Sequence, residues 1–316
     1  MRAIVVEEFG GPEVLKIVTL PSPQPGANEV RIRVRAAAVN PTDVLLRSGE
    51  IARLLPNVPP PPYIPGMDAA GIIDAVGPGG DGRLKVGDEV IAVVSYLGPH
   101  KGAYAEQIVA PAASVVPVPK GSDLPAASTL LMNALTVRLG LDALALQPGQ
   151  TVAVTGAAGA VGGYAIELAK ADGLRVIADA SPADRALVER LGADVIVERG
   201  DDLARRFREV APGGVDAVID AALLHEQILP AIRDGGGIVT VRGWSGPTER
   251  GIVAHPVLVS TGLTDTAKID RLRQQVEDGQ LTLRVAKVLP AAEVAEAHRL
   301  LEAGGVRGRL VLDFGA

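Results

Sequence analysis

The run Thr151-Val-Ala-Val-Thr-Gly156-Ala157-Ala-Gly159-Ala160-Val161-Gly162-Gly163 has the residue types that a bound phosphate needs. A short apolar, β-branched stretch reads as a buried strand. Glycines then recur at intervals of three, and the helix-forming stretch Tyr164–Lys170 follows. At a helix start the first backbone N–H groups lack intrahelical partners, and the helix dipole favours negative charge. Missing side chains let phosphate oxygens approach that backbone, so the run is predicted to cradle the pyrophosphate of a dinucleotide. The spacing is a variant of G-x-G-x-x-G, and a tight turn without a ligand is the plainer alternative. The flanking strand and helix favour the dinucleotide.

The adenosine ribose is then expected beyond the next strand, Val176-Ile-Ala-Asp179-Ala-Ser181. Asp179 would accept from a ribose 2′-hydroxyl, which points to NAD(H). Ser181, Arg185 and Arg199 would instead clamp a 2′-phosphate, arginine being suited to bidentate anion binding. The reading favours NADP(H), with NAD(H) possible; ordinary solvated arginines are the alternative for Arg185 and Arg199. Val241, Arg242 and Gly243 follow the last clear strand and are predicted to line the nicotinamide pocket. Trp244 beside them reads equally as a pocket wall or as a packing or interface aromatic.

The elements that position these residues fall into two patterns. Up to about Pro119 the chain reads as short strands punctuated by Gly and Pro: Arg2–Glu7, Val14–Thr19, Glu29–Ala38, Gly71–Val76, Glu89–Val94 and Tyr104–Ala110. Val30, Ile32 and Val34 alternate with arginines and are predicted to share one buried face. Leu55–Pro65 holds six prolines and is predicted to be an extended loop rather than a strand or helix interior. From about Leu124, strand candidates Thr151–Thr155, Arg175–Asp179, Asp194–Val197, Val215–Ile219 and Gly237–Val241 alternate with helix candidates Val161–Asp172, Ala183–Leu191, Asp202–Val210 and Leu223–Arg233. Such alternation predicts a doubly wound parallel sheet. A final helix, Ala291–Ala303, and strand, Leu310–Phe314, are free to return to the first domain.

The 316 residues suffice for two domains, and 47% hydrophobic with 22% charged side chains predicts a globular chain. A net charge of -6 disfavours nucleic acid and anionic membranes as partners, leaving a small molecule. No apolar run is read as approaching the roughly 20 residues of a membrane span, and no leader is read, so a cytoplasmic location is expected. The absence of cysteine removes disulfides, thiolate zinc sites and cysteine nucleophiles together. His100, His225, His255 and His298 are the only imidazoles, and no two share a metal-site spacing. No metal is expected.

Four segments carry a family likeness over nearly the whole chain. They are Asn40-Pro-Thr-Asp43 with Arg47-Ser-Gly49, Pro62-Tyr63-Ile-Pro-Gly66-Met67-Asp68-Ala-Ala-Gly71, Val86-Gly-Asp-Glu-Val90, and the turn at Gly156. The sequence resembles the zinc-independent quinone oxidoreductase branch of the medium-chain dehydrogenase/reductase superfamily. The resemblance implies an α/β chain with a GroES-like, β-barrel-type catalytic domain over 1–123 and 285–316. A Rossmann dinucleotide-binding domain would occupy 124–284, with substrate in the cleft between and a homodimer as the common assembly. In zinc-dependent relatives a histidine ligand and a glutamate stand where Met67 and Asp68 stand here, and a cysteine ligand stands near Asn40. Met67 is a poor ligand for a borderline cation.

Without a Lewis acid, oxidation of simple alcohols is disfavoured. Hydride transfer to a quinone or another α,β-unsaturated carbonyl is the expected reaction, with protein donors facing the acceptor oxygen. The resemblance implies that Asn40 faces nicotinamide and substrate and that Thr136 contacts the cofactor near its nicotinamide end. Asn40 also reads as a turn residue before Pro41, and Thr136 as a helix residue bonded to its own backbone. Tyr63, Tyr96, Tyr104 and His100 are candidate donors, Tyr63 being assigned to the catalytic set and His100 reading better as a loop histidine. Leu45 and Ile51 stand where tyrosines are usual in the family, and Arg309 where a lysine is. An enoyl-thioester reductase and a catalytically weak cofactor binder are the competing readings.

Overall fold

Val30, Ile32 and Val34 are at most 1% exposed, while Arg33 on the opposite face of their strand is open to solvent. Alternation along a strand thus builds one wall of the first core, as the pleat requires. The computed structural model describes residues 1–55, 58–80, 82–246 and 248–315. Contacts divide the chain into two units: Met1–Met132, Leu263–Glu277 and Leu283–Ala316 form one, and Asn133–Gly262 with Asp278–Thr282 form the other. This assigns 124–132, 263–277 and 283–284 to the first unit, a different division from one at 123 and 285.

In the first unit a seven-stranded sheet runs in the order Val285–Pro290, Arg309–Asp313, Glu29–Ala38, Asp68–Val76, Glu89–Val93, Val115–Pro117, with Gln107–Pro111 also paired to Glu29–Ala38. A separate antiparallel pair joins Arg2–Val6 to Leu15–Thr19. Ile4, Ile32, Ile73, Val90, Tyr104, Leu289 and Leu312 meet in its core. The last strand does return here: Val311 pairs with Ala38 and Asp313 with Ala36, in antiparallel register. That register brings Arg309 to the end of the long strand, beside Val39.

The second unit has a six-stranded sheet, parallel throughout, in the order Val195–Glu198, Arg175–Ala180, Thr151–Thr155, Val215–Asp220, Ile232–Thr240, Val253–Pro256. The chain steps outward twice from Thr151–Thr155 on one side and then resumes on the other. The order therefore reverses at the carboxyl end of Thr151–Thr155, the crevice where open α/β sheets bind ligands. Helices Ala160–Ala171, Arg185–Arg190 and Leu203–Val210 connect these strands. Ala153, Ile177, Phe207, Val218 and Ile238 form its core.

Several elements differ from the sequence expectation. Leu223–Arg233 is not an α-helix: His225–Ala231 is a 3-10 helix and a strand already begins at Ile232. Pro230 inside it lacks the N–H that an α-helix needs, and Leu223 and His225 adopt left-handed φ of 61° and 54°. Helix Thr266–Glu277 and strands Val115–Pro117, Val253–Pro256 and Val285–Pro290 were not anticipated. The proline-rich loop is extended where described, Val6 bridging to Tyr63; Pro56 lies outside the described residues.

One stretch, Leu124–Leu144, is long and apolar enough to cross a membrane by length and composition, contrary to expectation. It is 67% buried within the protein, and Arg138 on it pairs with Asp142 and with Asp172.

Candidate active site

Asn40 precedes the helix Pro41–Ser48 as its N-cap, with extended backbone angles, and Pro41 occupies the first turn where its missing N–H costs nothing. Asp43, one turn in, accepts the Asn40 backbone N–H at Oδ2, 2.8 Å away, the reciprocal half of a capping box. The same carboxylate accepts the Gly66 N–H at Oδ1 (3.0 Å) and the Tyr104 hydroxyl at Oδ2 (2.9 Å). Asp43 thereby ties the Gly66-Met67-Asp68 segment to Asn40. Burial pushes its carboxyl up to about 6, while these three donors and the Arg309 charge oppose the rise.

Asn40 is fully buried, and its Nδ2 donates to Asp68 Oδ2 at 3.1 Å and to Ala38 O at 3.4 Å. Its Oδ1 is buried on the capping-box side, facing the Asp43 backbone N–H without a hydrogen bond of normal geometry. Asp68 begins the strand Asp68–Val76; its Oδ1 accepts the Met132 N–H at 2.7 Å, and Arg309 Nη2 stands 3.5 Å from its Oδ2. Arg309 also donates to Val39 O from Nε (3.2 Å) and Nη2 (2.9 Å). Burial raises the Asp68 carboxyl and Arg309 pulls it back. Met67, 5% exposed, has Thr42 Oγ1 at 3.8 Å from its sulfur.

Of the candidate donors, Tyr104 joins this cluster and Tyr96 bonds Thr42, its hydroxyl pushed up by burial and by the Asp43 charge. Tyr63 donates to the Pro59 carbonyl and stacks on Phe9 at 5.9 Å, so its hydroxyl proton already serves its own loop. His100 pairs with Glu29 at 2.7 Å, away from Asn40 in sequence and partners alike. His298, which the sequence reading only counted, is fully buried edge-on to Tyr104. Burial and the nearby Arg47 charge push its imidazole down to about 3.

In the second unit Gly156 takes a φ of +63°, and a Cβ on Gly162 would lie 2.3 Å from Gly156 O and 2.7 Å from Ala157 Cα. Only glycine permits that approach. Gly159 is the N-cap of helix Ala160–Ala171 and, having no side chain, supplies no side-chain cap where Ala160, Val161 and Gly162 open the helix. The Ala157 N–H donates to Asp179 Oδ1 at 3.0 Å, and Arg199 Nε binds Asp179 Oδ2 at 2.6 Å. Asp179 is 1% exposed and Arg199 41%. The two residues that the sequence set against each other form one ion pair. Ser181 Oγ donates to Asp184 at 2.7 Å, and Arg185 is exposed at the start of its helix.

Across the reversal point, Thr155 Oγ1 donates to Asp220 Oδ1 (2.7 Å) and accepts the Ala222 N–H (3.0 Å). Asp220 Oδ2 accepts the His225 N–H at 2.8 Å. The His225 ring stacks on Trp244 at 5.2 Å, and Trp244 Nε1 reaches Glu226. Thr240 Oγ1 donates to the Trp244 carbonyl at 2.7 Å, which shapes the turn Val241-Arg242-Gly243. Val241 is half-buried and Arg242 exposed. Thr136 is buried in helix Leu131–Leu144. Thr155 and Asp220 escaped the sequence reading, although polar residues ending apolar strands were its available signal, and His225 was only counted there. Among the described residues no group of three or more His, Cys, Asp or Glu could hold a metal ion.

Comparison with known proteins agrees with this architecture. The family description "Alcohol dehydrogenase GroES-like domain" matches residues 26–120, and "Zinc-binding dehydrogenase" matches residues 191–312. A probable quinone oxidoreductase of Schizosaccharomyces pombe is 30% identical over 98% of this chain and 96% of its own. A mycobacterial protein complexed with NADPH superposes with a TM-score of 0.86 at 30% identity, covering 99% of both chains. The CurK enoyl reductase superposes with a TM-score of 0.87 at 28% identity, covering 99% of this chain and 98% of that one. The chain belongs to the quinone oxidoreductase family of the medium-chain dehydrogenase/reductase superfamily, a family of oxidoreductases.

Proposed function

We propose that this protein is a zinc-free, NADPH-dependent oxidoreductase that transfers hydride to a quinone or another α,β-unsaturated carbonyl. The observation that carries the reading is the glycine turn at the reversal point of the parallel sheet, where a Cβ on Gly162 would strike the turn's own backbone. The helix start beyond Gly159, whose N-cap brings no side chain, fits a pyrophosphate. Thr136, Val241, Arg242 and Gly243 are assigned to the nicotinamide half.

Preference for the 2′-phosphate rests on the Asp179–Arg199 pair. Asp179 is spent on Ala157 and on Arg199, so it presents no free carboxylate to repel a phosphate. Arg199 uses Nε on Asp179 and keeps two Nη groups of its fork for an anion, with Arg185 exposed on the following helix. When bound, reduced nicotinamide supplies a hydride, and a proton from solvent completes reduction of the acceptor. Asn40 orients the reacting partners through its amide, and the residues around it hold that amide still. Metal assistance is left out because no cysteine exists and Met67 stands at the ligand position.

Likeness to the CurK enoyl reductase supports a second reading, reduction of an enoyl thioester. Steady-state oxidation of NADPH and NADH, measured against quinones, simple enones and crotonyl thioester, separates them. NADPH with a quinone or enone is expected to give the highest kcat/KM. Arg185→Ala with Arg199→Ala is expected to erase the NADPH preference. A preference unchanged in that double variant, or saturable NADPH binding with no turnover of any acceptor, would sink the assignment.

A further inference from the structure

Leu223 and His225 take left-handed φ of 61° and 54°, a conformation that costs a non-glycine residue free energy and persists only where its surroundings impose it. Asp220 supplies the constraint at His225. Its Oδ2 accepts the His225 N–H at 2.8 Å, and its Oδ1 accepts the Thr155 hydroxyl at 2.7 Å. The imidazole is thereby held at the carboxyl ends of Thr151–Thr155 and Val215–Asp220, paired neighbours at the reversal point.

Trp244 fixes the plane of the ring. Imidazole and indole stack at 5.2 Å with 16° between their planes. The indole is held in turn by Glu226, 3.2 Å from Nε1, and by a close approach to Gly246, where a Cβ would lie 2.6 Å from the ring. All of these residues belong to the unit built on Asn133–Gly262.

The two ring nitrogens of His225 differ in their surroundings. Nδ1 is buried without a hydrogen-bond partner among the described residues, 3.7 Å from Asp220 Oδ2. That separation is too long for a hydrogen bond, yet a carboxylate so close favours a proton on Nδ1 over a lone pair. A neutral imidazole has one donor and one acceptor, so a proton on Nδ1 makes Nε2 the acceptor. The side chain is 28% exposed, and Nε2 is the nitrogen left to a ligand. An acceptor at that place suits a hydroxyl and not a phosphate oxygen.

Sheet order indicates which part of a dinucleotide brings the hydroxyl. Asp179 lies on Arg175–Ala180, the strand on one side of Thr151–Thr155, and His225 follows Val215–Asp220, the strand on the other. A Cβ on Gly156 would lie 3.2 Å from Ala221 C and Ala222 N, so the segment leading to His225 abuts the glycine turn. With the pyrophosphate on that turn and the adenosine ribose toward Asp179, the second ribose falls on the His225 side. We propose that His225 is a specificity-determining residue for this second ribose: Asp220 sets its tautomer, Trp244 sets its plane, and Nε2 accepts a ribose hydroxyl. Its place beside that ribose rests on the dinucleotide reading above.

Calorimetric titration tests the two halves of the cofactor separately. His225→Phe keeps a ring to stack on Trp244 and removes both nitrogens. NADPH is expected to bind this variant about fivefold more weakly, while 2′,5′-ADP, which lacks the second ribose, stays within about twofold of its native affinity. An unshifted emission maximum of Trp244, the only tryptophan, verifies the stack. Unchanged NADPH affinity, or an equal loss for NADPH and 2′,5′-ADP, overturns the proposal, the second outcome marking a structural role. His225→Gln keeps a side-chain acceptor and is expected to bind NADPH more tightly than His225→Phe.

A comparison on the native protein needs no variant to fold. NADPH analogues lacking the 2′- or the 3′-hydroxyl of the second ribose are compared with NADPH, and one of the two is expected to bind about fivefold more weakly. Native affinity for both analogues overturns the proposal. A protein that prefers NADH is run through the same comparison with NADH and ADP, so an error about the 2′-phosphate is told apart from an error about His225. Binding without turnover of any acceptor ends the functional reading and leaves the ribose comparison standing; binding of neither cofactor overturns both.

Discussion

His298 and Asp43 are buried titratable groups that both contact Tyr104, and their shifts act on stability with opposite signs. The His298 imidazole is pushed down to about 3, so below its unfolded value of 6.5 the unfolded chain binds a proton that the folded chain refuses. Stability from this group is full above pH 6.5 and falls as pH drops, by about 1.4 kcal/mol per unit. The Asp43 carboxyl is pushed up from 3.8 to about 6, so between those values the folded chain holds a proton that the unfolded chain releases. Its contribution therefore rises as pH drops from about 6 to 3.8 and offsets the histidine. His298→Leu removes one side of the balance. The carboxylates held low in the fold, Glu29, Asp194 and Asp216 among them, lose stability on acidification in both proteins alike, so the comparison between native and variant isolates the histidine. Unfolding free energies from urea titration are expected to shift in favour of the variant relative to the native protein as pH falls below 6.5, by about 1.4 kcal/mol per unit. Parallel pH curves for the two proteins would show that His298 is not the offsetting group. Sequence counted His298 but could not reveal this, because its burial depends on strand and helix contacts made far away in the chain.

At the scale of elements, the strand–turn–helix around Gly156 was legible to within a residue, and so were most strands of both sheets. The reason is local: period-two burial, glycine punctuation and helix starts are written in adjacent residues. Leu223–Arg233 was misread because apolar spacing outweighed Pro230 and the left-handed residues before it. The Asp179–Arg199 pair was seen as two opposed signals because parallel pairing of Val195–Glu198 with Arg175–Ala180, which makes them neighbours, is not written in either segment. The turn itself yields a prediction. Gly162→Ala places a methyl 2.3 Å from Gly156 O, a contact that only backbone displacement relieves. NADPH affinity is expected to fall at least about tenfold, with thermal stability falling by about 1–3 kcal/mol. Native affinity in a folded Gly162→Ala protein would mean that the phosphates do not use this turn.

For the molecule as a whole, two patterns of strand and helix foretold two units, yet the chain crosses between them more often than the patterns suggest. Helix Thr266–Glu277 belongs to the first unit, where Thr266 bonds Ala113 and Glu277 accepts the Lys120 N–H. Such returns depend on tertiary contacts alone and leave no mark on local periodicity. Whole-chain chemistry leaves a clearer one, in the donors available to a metal. Cysteine is absent, His100 is paired with Glu29, His225 is stacked on Trp244, and His298 is sealed beside Tyr104. His255, half-buried, sits on the strand Val253–Pro256, whereas His100 lies in a turn, His225 in a 3-10 helix and His298 in helix Val294–Ala303. Asp43, bonded to the Gly66 N–H, and Asp68 are the carboxylates tied to the Met67 segment, and each already accepts amide or guanidinium donors. A divalent ion placed there would have to displace Arg309 and strip those bonds, at a cost that two carboxylates and a thioether do not repay. The purified protein is accordingly expected to contain well under one equivalent of zinc by elemental analysis. NADPH-dependent reduction is expected to survive prolonged chelation without loss. Stoichiometric zinc, or activity that chelators abolish and zinc restores, would overturn the zinc-free assignment and with it the argument that conjugated carbonyls rather than alcohols are reduced.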